Sequence, residues 1–262
     1  MTVELAFDDR GVDHSGTPLV LLHAFPLTRA MFDQVATELA QRRRVITPDL
    51  RGFGESPDPG PDEPALERMA GDVVALLDRL GVARCVLGGV SMGGYLTMTV
   101  LRRHPERLTG VVLIDTKGSA DTDEARTNRE RVSGAVLQHG SRALRPMLDT
   151  LLGPTSRTER PQVVATVTGW LDAGRPDAVA WAQRAMAARP ASFDTLSAAE
   201  LPGYVVVGEE DELTPHDDAL ALSAAFTPHA PVHVIPRAGH LSPVENPDAV
   251  AGALRDVLRH LP

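Results

Sequence analysis

The sequence predicts an α/β protein, a mostly parallel sheet with helices on both faces. Three observations carry this. Short apolar, β-branched runs alternate along the chain with longer segments of helical periodicity. Gly89-Val90-Ser91-Met92-Gly93 stands between the apolar run Cys85-Val86-Leu87 and a helical segment reaching His104. The alternation then stops once, between Asp115 and Leu201, where helical patterns are broken by Gly140, Gly153-Pro154, Gly174-Arg175-Pro176 and Arg189-Pro190.

Taken in order, strands are expected at residues 3–7, 19–22, 45–47, 85–90, 110–114, 203–207 and 232–235. Helices are expected at 29–40, 66–80, 92–103, 217–225 and 248–261. In the second helix Met69, Val73, Leu76, Leu77 and Leu80 recur at three- and four-residue intervals, giving one apolar face for the sheet, and Gly81 ends it. The insertion carries an apolar stripe, Leu144, Met147, Leu148, Leu151 and Leu152, able to face either the sheet or a substrate. It also holds both tryptophans, Trp170 and Trp181.

With 262 residues, 43% of them hydrophobic, the chain can bury a sizeable core, and one domain with an insertion is the reading. A net charge of −9, with arginines scattered among acids and no basic stripe, argues against a nucleic-acid partner. The single cysteine, Cys85, allows no internal disulfide, and Met-Thr-Val-Glu-Leu at the start lacks the pattern of a secretory leader, so a cytoplasmic location is expected. No apolar stretch reaches the roughly 18 residues of a membrane span. There is no internal repeat.

The chemistry centres on Ser91. A serine held between small residues at a sharp strand-to-helix turn presents its hydroxyl above the sheet, but it needs a base and a group to orient that base. Both follow downstream. The strand at 203–207 runs into Gly208-Glu209-Glu210-Asp211-Glu212-Leu213-Thr214-Pro215, and the strand at 232–235 into Pro236-Arg237-Ala238-Gly239-His240-Leu241. Ser91, Asp211 and His240 thus form a candidate catalytic triad in the order Ser, Asp, His. Asp115, at the end of the strand 110–114, is a rival for the acid, and Glu209, Glu210 and Glu212 read as solvated neighbours.

Three further segments agree. His23-Ala24-Phe25-Pro26 resembles the oxyanion loop usually written His-Gly-x-Pro, Asp49-Leu50-Arg51-Gly52-Phe53-Gly54-Glu55-Ser56 resembles a D-x-R-G-x-G-x-S turn, and Gly239-His240-Leu241 with Glu245-Asn246-Pro247 resembles a histidine loop. With the elbow, these identify a chain that resembles the α/β-hydrolase-fold serine hydrolases over essentially its full length. The resemblance implies a core of residues 1–117 and 200–262, and a helical cap of residues 118–199 inserted after the sixth strand of the family's count. It also implies an oxyanion hole made by the backbone amides of Met92 and of Phe25, the latter after the family's third strand. Ala24 departs from the family's glycine, and a positive φ there would strain the loop.

Other residues have structural readings. His23 is expected to be buried and bonded to its own loop, Asp49 and Arg51 to tie their loop together as a partly buried pair, and Cys85 to be an inert core thiol. His229 and His233 are separated by Pro231, and no H-E-x-x-H, dinucleotide or phosphate-loop pattern occurs; the sole lysine, Lys117, sits in no such loop. No metal and no cofactor are expected.

The function expected is hydrolysis of a small to medium, mainly apolar ester or lactone through an acyl-enzyme on Ser91, with carboxylesterases and enol-lactonases the most similar in kind. The same triad serves cofactor-free haloperoxidases or perhydrolases, carbon-carbon bond hydrolases and thioesterases, and an intact pocket could belong to a non-catalytic receptor. Haloalkane dehalogenases and epoxide hydrolases need a carboxylate where this chain has Ser91. The partner is a small-molecule substrate, and the oligomeric state is not legible.

Overall fold

A computed structural model describes residues 2–261. Seven strands form one sheet in the order β1-β3-β2-β4-β5-β6-β7. They are β1 (Phe7–Arg10), β2 (Leu19–Leu22), β3 (Val45–Pro48), β4 (Cys85–Val90), β5 (Leu108–Ile114), β6 (Gly203–Gly208) and β7 (Val232–Ile235). All neighbours pair in parallel except β1, which runs antiparallel to β3. Strands β2, β3, β4 and β6 are buried along their whole length, as apolar runs sandwiched between two helical layers must be.

Six strands lie where the sequence puts them, to within a residue or two. The first does not: the ladder spans Phe7–Arg10 rather than 3–7. It is a half-buried edge strand of sequence FDDR, and its charges are paired, Arg44 with Asp9 and Arg29 with Asp8. An edge held by ion pairs leaves no apolar alternation to read. Because β1 alone precedes β2 among the described residues, the loop with Phe25 follows the second strand of this chain and the insertion follows the fifth, each one short of the family count.

Helices α1 (Asp33–Leu39), α2 (Leu66–Arg79) and α3 (Met92–Arg103) connect the first five strands, a 3-10 turn over Arg29–Phe32 opening the first. In α2, Leu66, Met69, Ala70, Val73, Leu76 and Leu77 form the buried face that the periodicity predicts. Between β5 and β6 the chain is helical: α4 (Asp123–His139), a 3-10 segment (Ser141–Met147), α5 (Leu148–Leu151), α6 (Pro154–Glu159), α7 (Pro161–Ala173), α8 (Pro176–Ala187) and α9 (Phe193–Ser197). Helices α10 (His216–Ala225), α11 (Ser242–Glu245) and α12 (Pro247–Arg259) complete the layers.

Named side chains tie the helical insertion to loops at the C-terminal ends of the strands. Trp181 Nε1 donates to the Asp62 carbonyl at 2.9 Å, with the Arg51 guanidinium 5.6 Å from the ring centroid. Arg175 donates to the carbonyls of Gly52 and Ser56 at 3.0 and 2.6 Å. Gly52, at φ +86°, lets α8 approach so closely that an added methyl would lie 2.6 Å from Ala178 Cβ. Asp49 and Arg51 do not pair with each other as the sequence suggests. Asp49 binds the Arg29 side chain and the Arg29 and Glu55 amides, while Arg51 reaches Asp72 on α2 at 2.5 and 2.7 Å. Each acid and base instead finds a partner from a distant part of the chain.

Candidate functional site

The elbow follows from close approach of backbone to backbone. Ser91 stands at φ 53°, ψ −111°, between β4 and α3, a left-handed conformation that costs about 1–3 kcal/mol for a residue with a side chain. Its flanking glycines are required by space: a methyl on Gly89 would sit 2.1 Å from the Gly93 carbonyl oxygen, and one on Gly93 2.1 Å from that of Leu22. The turn is fastened by Ser91 N–H donating to the Ile114 carbonyl at 3.0 Å and by Thr116 Oγ1 donating to the Ser91 carbonyl at 2.9 Å. Ser91 is half-buried and lines a cavity of about 390 Å³.

His240, between β7 and α11, is 1% exposed. Its Nδ1 lies 2.9 Å from Asp211 Oδ2. A carboxylate only accepts, so this nitrogen carries the proton. Asp211, in the loop after β6, is fixed by the Leu213 and Thr214 amides on Oδ1 (2.9 Å each) and by Thr214 Oγ1, which donates to Oδ2 at 2.7 Å. The capping turn and the histidine contact are therefore both made by this one carboxylate. Burial alone would raise Asp211, but the His240 charge and the hydrogen bonds from His240 and Thr214 hold it below its usual range. Burial works against a charged His240, yet Asp211, with lesser help from Asp115 and Glu245, holds the imidazole above 6.5. Nε2, the other ring nitrogen, is buried and has no hydrogen-bond partner among the described residues, so the Ser91 hydroxyl is not bonded to it here.

Asp115, the rival acid, is fully buried after β5, but its oxygens are spent elsewhere. Oδ1 accepts from the Gly208 amide at 2.8 Å, and Oδ2 from the Ser242 amide and hydroxyl at 3.1 and 2.6 Å. Burial, aided by the charge of Asp211, pushes its carboxyl up to about 8. It ties β5, β6 and the histidine loop together.

Phe25 and Met92 have backbone amides without a hydrogen-bond partner among the described residues. Met92 opens α3, where the first amides of any helix lack an internal acceptor, and Phe25 lines the same cavity as Ser91. Ala24 is not among the residues at positive φ, so its methyl brings no strain; its amide points to Met31 Sδ at 3.2 Å. His23 is fully buried: Nδ1 donates to the Ala24 carbonyl and Nε2 accepts from the Leu50 amide, both at 2.9 Å, and burial lowers its basicity. Cys85 is a buried thiol pushed up to about 12 by desolvation.

Two contributors were not singled out by the sequence. Thr214 is one. The other is Glu245, whose Oε1 accepts from the Gly239 and Leu241 amides on either side of His240, while Oε2 accepts from the Gly153 amide in the insertion, at 2.9 Å. Likewise Glu210 is not merely solvated: Oε2 accepts from the Thr155 amide at the start of α6, at 2.9 Å. The stripe divides, Met147 and Leu151 lining the cavity while Leu144 and Leu152 are buried. Among the described residues there is no cluster of three or more metal-type ligands, and no helix is long and apolar enough to cross a membrane.

Comparison with known proteins places the fold in a family. The α/β-hydrolase fold family matches residues 17–247. The acetyltransferase component of the acetoin cleaving system of Pseudomonas putida is 32% identical over 252 residues, 93% of this chain; the chain spans only 64% of that protein. The 3-oxoadipate enol-lactonase 2 of Acinetobacter baylyi is 27% identical, covering 92% of this chain and 88% of its own length. A thermophilic esterase from Thermogutta terrifontis, solved with malate bound, superposes with a TM-score of 0.93 at 38% identity, over 98% of this chain and 94% of that one. With its matched length, parallel sheet and strand-end loops, the chain belongs to the α/β-hydrolase fold family.

Proposed function

We propose that this protein is a hydrolase that cleaves a small to medium carboxylic ester or lactone through an acyl-enzyme on Ser91. The observation that carries the reading is His240: one ring nitrogen is bonded to a carboxylate held by three other donors, and the opposite nitrogen is buried and unpartnered. A buried nitrogen lacking a partner is costly unless it has work to do, and the bond from nucleophile to base often tightens only with substrate in place.

In this reading His240 Nε2 takes the Ser91 proton as Oγ attacks the carbonyl carbon, and the negative oxygen that forms accepts from the Phe25 and Met92 amides. His240 returns the proton to the leaving alkoxide. Water, activated by the same nitrogen, then attacks the acyl carbonyl and frees the acid and Ser91. Residues 118–199 act as the cap that closes the cavity, whose volume of about 390 Å³ suits a small to medium ligand. The relatives named as an esterase and an enol-lactonase support ester and lactone substrates. A cytoplasmic location fits a chain whose single cysteine is buried and reduced.

The test is rapid-mixing kinetics with a chromogenic short-chain ester. The expected record is a burst of alcohol equal to the enzyme concentration before the steady state, absent in Ser91→Ala. Steady turnover by Ser91→Ala at the wild-type rate would remove the serine from the mechanism.

A further inference from the structure

The cavity beside Ser91 is not uniformly apolar. It is lined by apolar residues such as Met147, Leu151 and Met186, but Lys117, Asp121, Arg129 and Arg131 also line it. Their charges do not cancel alike. Asp121 is shared by two guanidinium groups, contacting Arg129 and, at 2.7 Å, Arg189, and Arg129 also donates to Gln183 at 2.8 Å. Arg131 bonds Asn128 and points out at an exposed position. Lys117 is different. It is half-buried, and among the described residues it has no hydrogen bond and no carboxylate within 4.0 Å. The acid whose field reaches it is Asp218 on α10, where burial raises the carboxyl and Lys117 draws it back without forming an ion pair.

The position of Lys117 is also fixed. Thr116, the residue before it, donates to the Ser91 carbonyl, and its side chain packs where a methyl on Gly94 would lie 2.5 Å away. The loop after β5 that carries the ammonium is therefore fastened to the turn that carries Ser91. The chain has 25 arginines and this one lysine. A compact charge on a flexible stem can reach a single anionic oxygen in a confined space, where a planar guanidinium demands room for a fork.

We propose that Lys117 binds a carboxylate on the substrate, so that the preferred ester or lactone is an anion with its charge a few bonds from the scissile carbonyl. This rests on the acyl-hydrolase reading above and sharpens it. The expectation of a mainly apolar substrate describes only the apolar part of that lining. A half-buried ammonium lacking a partner is stabilised by an incoming carboxylate more than a surface pair would be, because the cavity screens it less.

The experiment compares monomethyl glutarate with methyl pentanoate, a neutral ester of similar length, in wild type, Lys117→Met and Lys117→Arg. Wild type is expected to favour the anionic ester in kcat/KM by tenfold or more at low salt, less at high salt. Lys117→Met should cut that preference about tenfold, mainly through KM, and Lys117→Arg should restore most of it. An equal loss on both esters, or a wild type without the preference, overturns the proposal. Calorimetric binding of the monomethyl amide of glutaric acid to Ser91→Ala, with and without Lys117→Met, reads the anion site without turnover. Binding weakened about tenfold by Lys117→Met supports the site even where Ser91 proves not to be the nucleophile. Binding indifferent to Lys117 overturns it even where Ser91 is acylated.

Discussion

Asp115 and Asp211 are two buried carboxylates at the ends of neighbouring strands, β5 and β6, and their environments drive them in opposite directions. Asp211 is held ionised by His240 and Thr214, whereas Asp115 is pushed up to about 8 by burial and by the charge of Asp211 itself. Two like charges near one imidazole are not both favoured, and the one with more donors keeps its charge. Position at a strand end therefore does not make an acid part of a catalytic set. The loop that follows decides: after β6 it turns back to give Asp211 its amides and Oδ2 to His240, while after β5 the carboxylate is turned onto Gly208 and Ser242.

The largest expected effect breaks this comparison on one side. Asp211→Asn should lower kcat by about 10³- to 10⁴-fold, because an amide can present its nitrogen to His240 and favour the wrong tautomer. Steady-state kinetics on any accepted ester measures it. Asp115→Asn should lower kcat by less than about tenfold, and a thermal melt should show it destabilised by roughly 1–3 kcal/mol, since an amide cannot accept on both of its ends. A Thr214→Val variant lies between in mechanism: losing the hydroxyl donor to Asp211 should cost about tenfold in kcat and leave the midpoint of the acid limb nearly where it is, because the charge of Asp211 remains.

pH sharpens the same contrast. The proposed base, His240, must be neutral to work and its pKa is raised, so kcat/KM should fall with acid through a midpoint above 6.5. In Asp211→Asn, without the charge that raises it, residual activity should show this limb at lower pH. Stability offers the smallest signal. Asp115, with its folded value raised from 3.8 to about 8, binds its proton more tightly in the native state, so it makes the fold lose stability as pH rises across that window. Asp211 has a lowered value, and its contribution is present above its unfolded value and lost as pH falls through the folded one. Urea melts across pH should lose the first slope in Asp115→Asn and the second in Asp211→Asn.

Much of this was legible in the sequence because its signals are local. Glycines at 89 and 93, a strand before them and a helix after them require no knowledge of the rest of the chain. The central strands are buried on both faces and read as apolar runs for that reason. What was hidden depends on closure between distant segments. Asp49 and Arg51 look like partners in sequence, but Arg29 and Asp72 reach them first in space. Glu245 is visible as a motif residue, yet that it holds both amides flanking His240 and one from Gly153 emerges only when the histidine loop meets the insertion. Lys117 belongs to no phosphate loop, and the acid whose field reaches it, Asp218, stands on α10, far along the chain.

The account turns on which acid serves the imidazole proposed to activate Ser91, and one measurement addresses it directly: the second-order rate of fluorophosphonate attachment at Ser91, located by peptide mass spectrometry and followed against pH in wild type, Asp211→Asn and Asp115→Asn. We predict attachment at Ser91 alone, with a rate rising through a midpoint above 6.5, nearly abolished in Asp211→Asn and close to wild type in Asp115→Asn. Attachment at another residue, or fast labelling in Asp211→Asn with loss in Asp115→Asn, would contradict it.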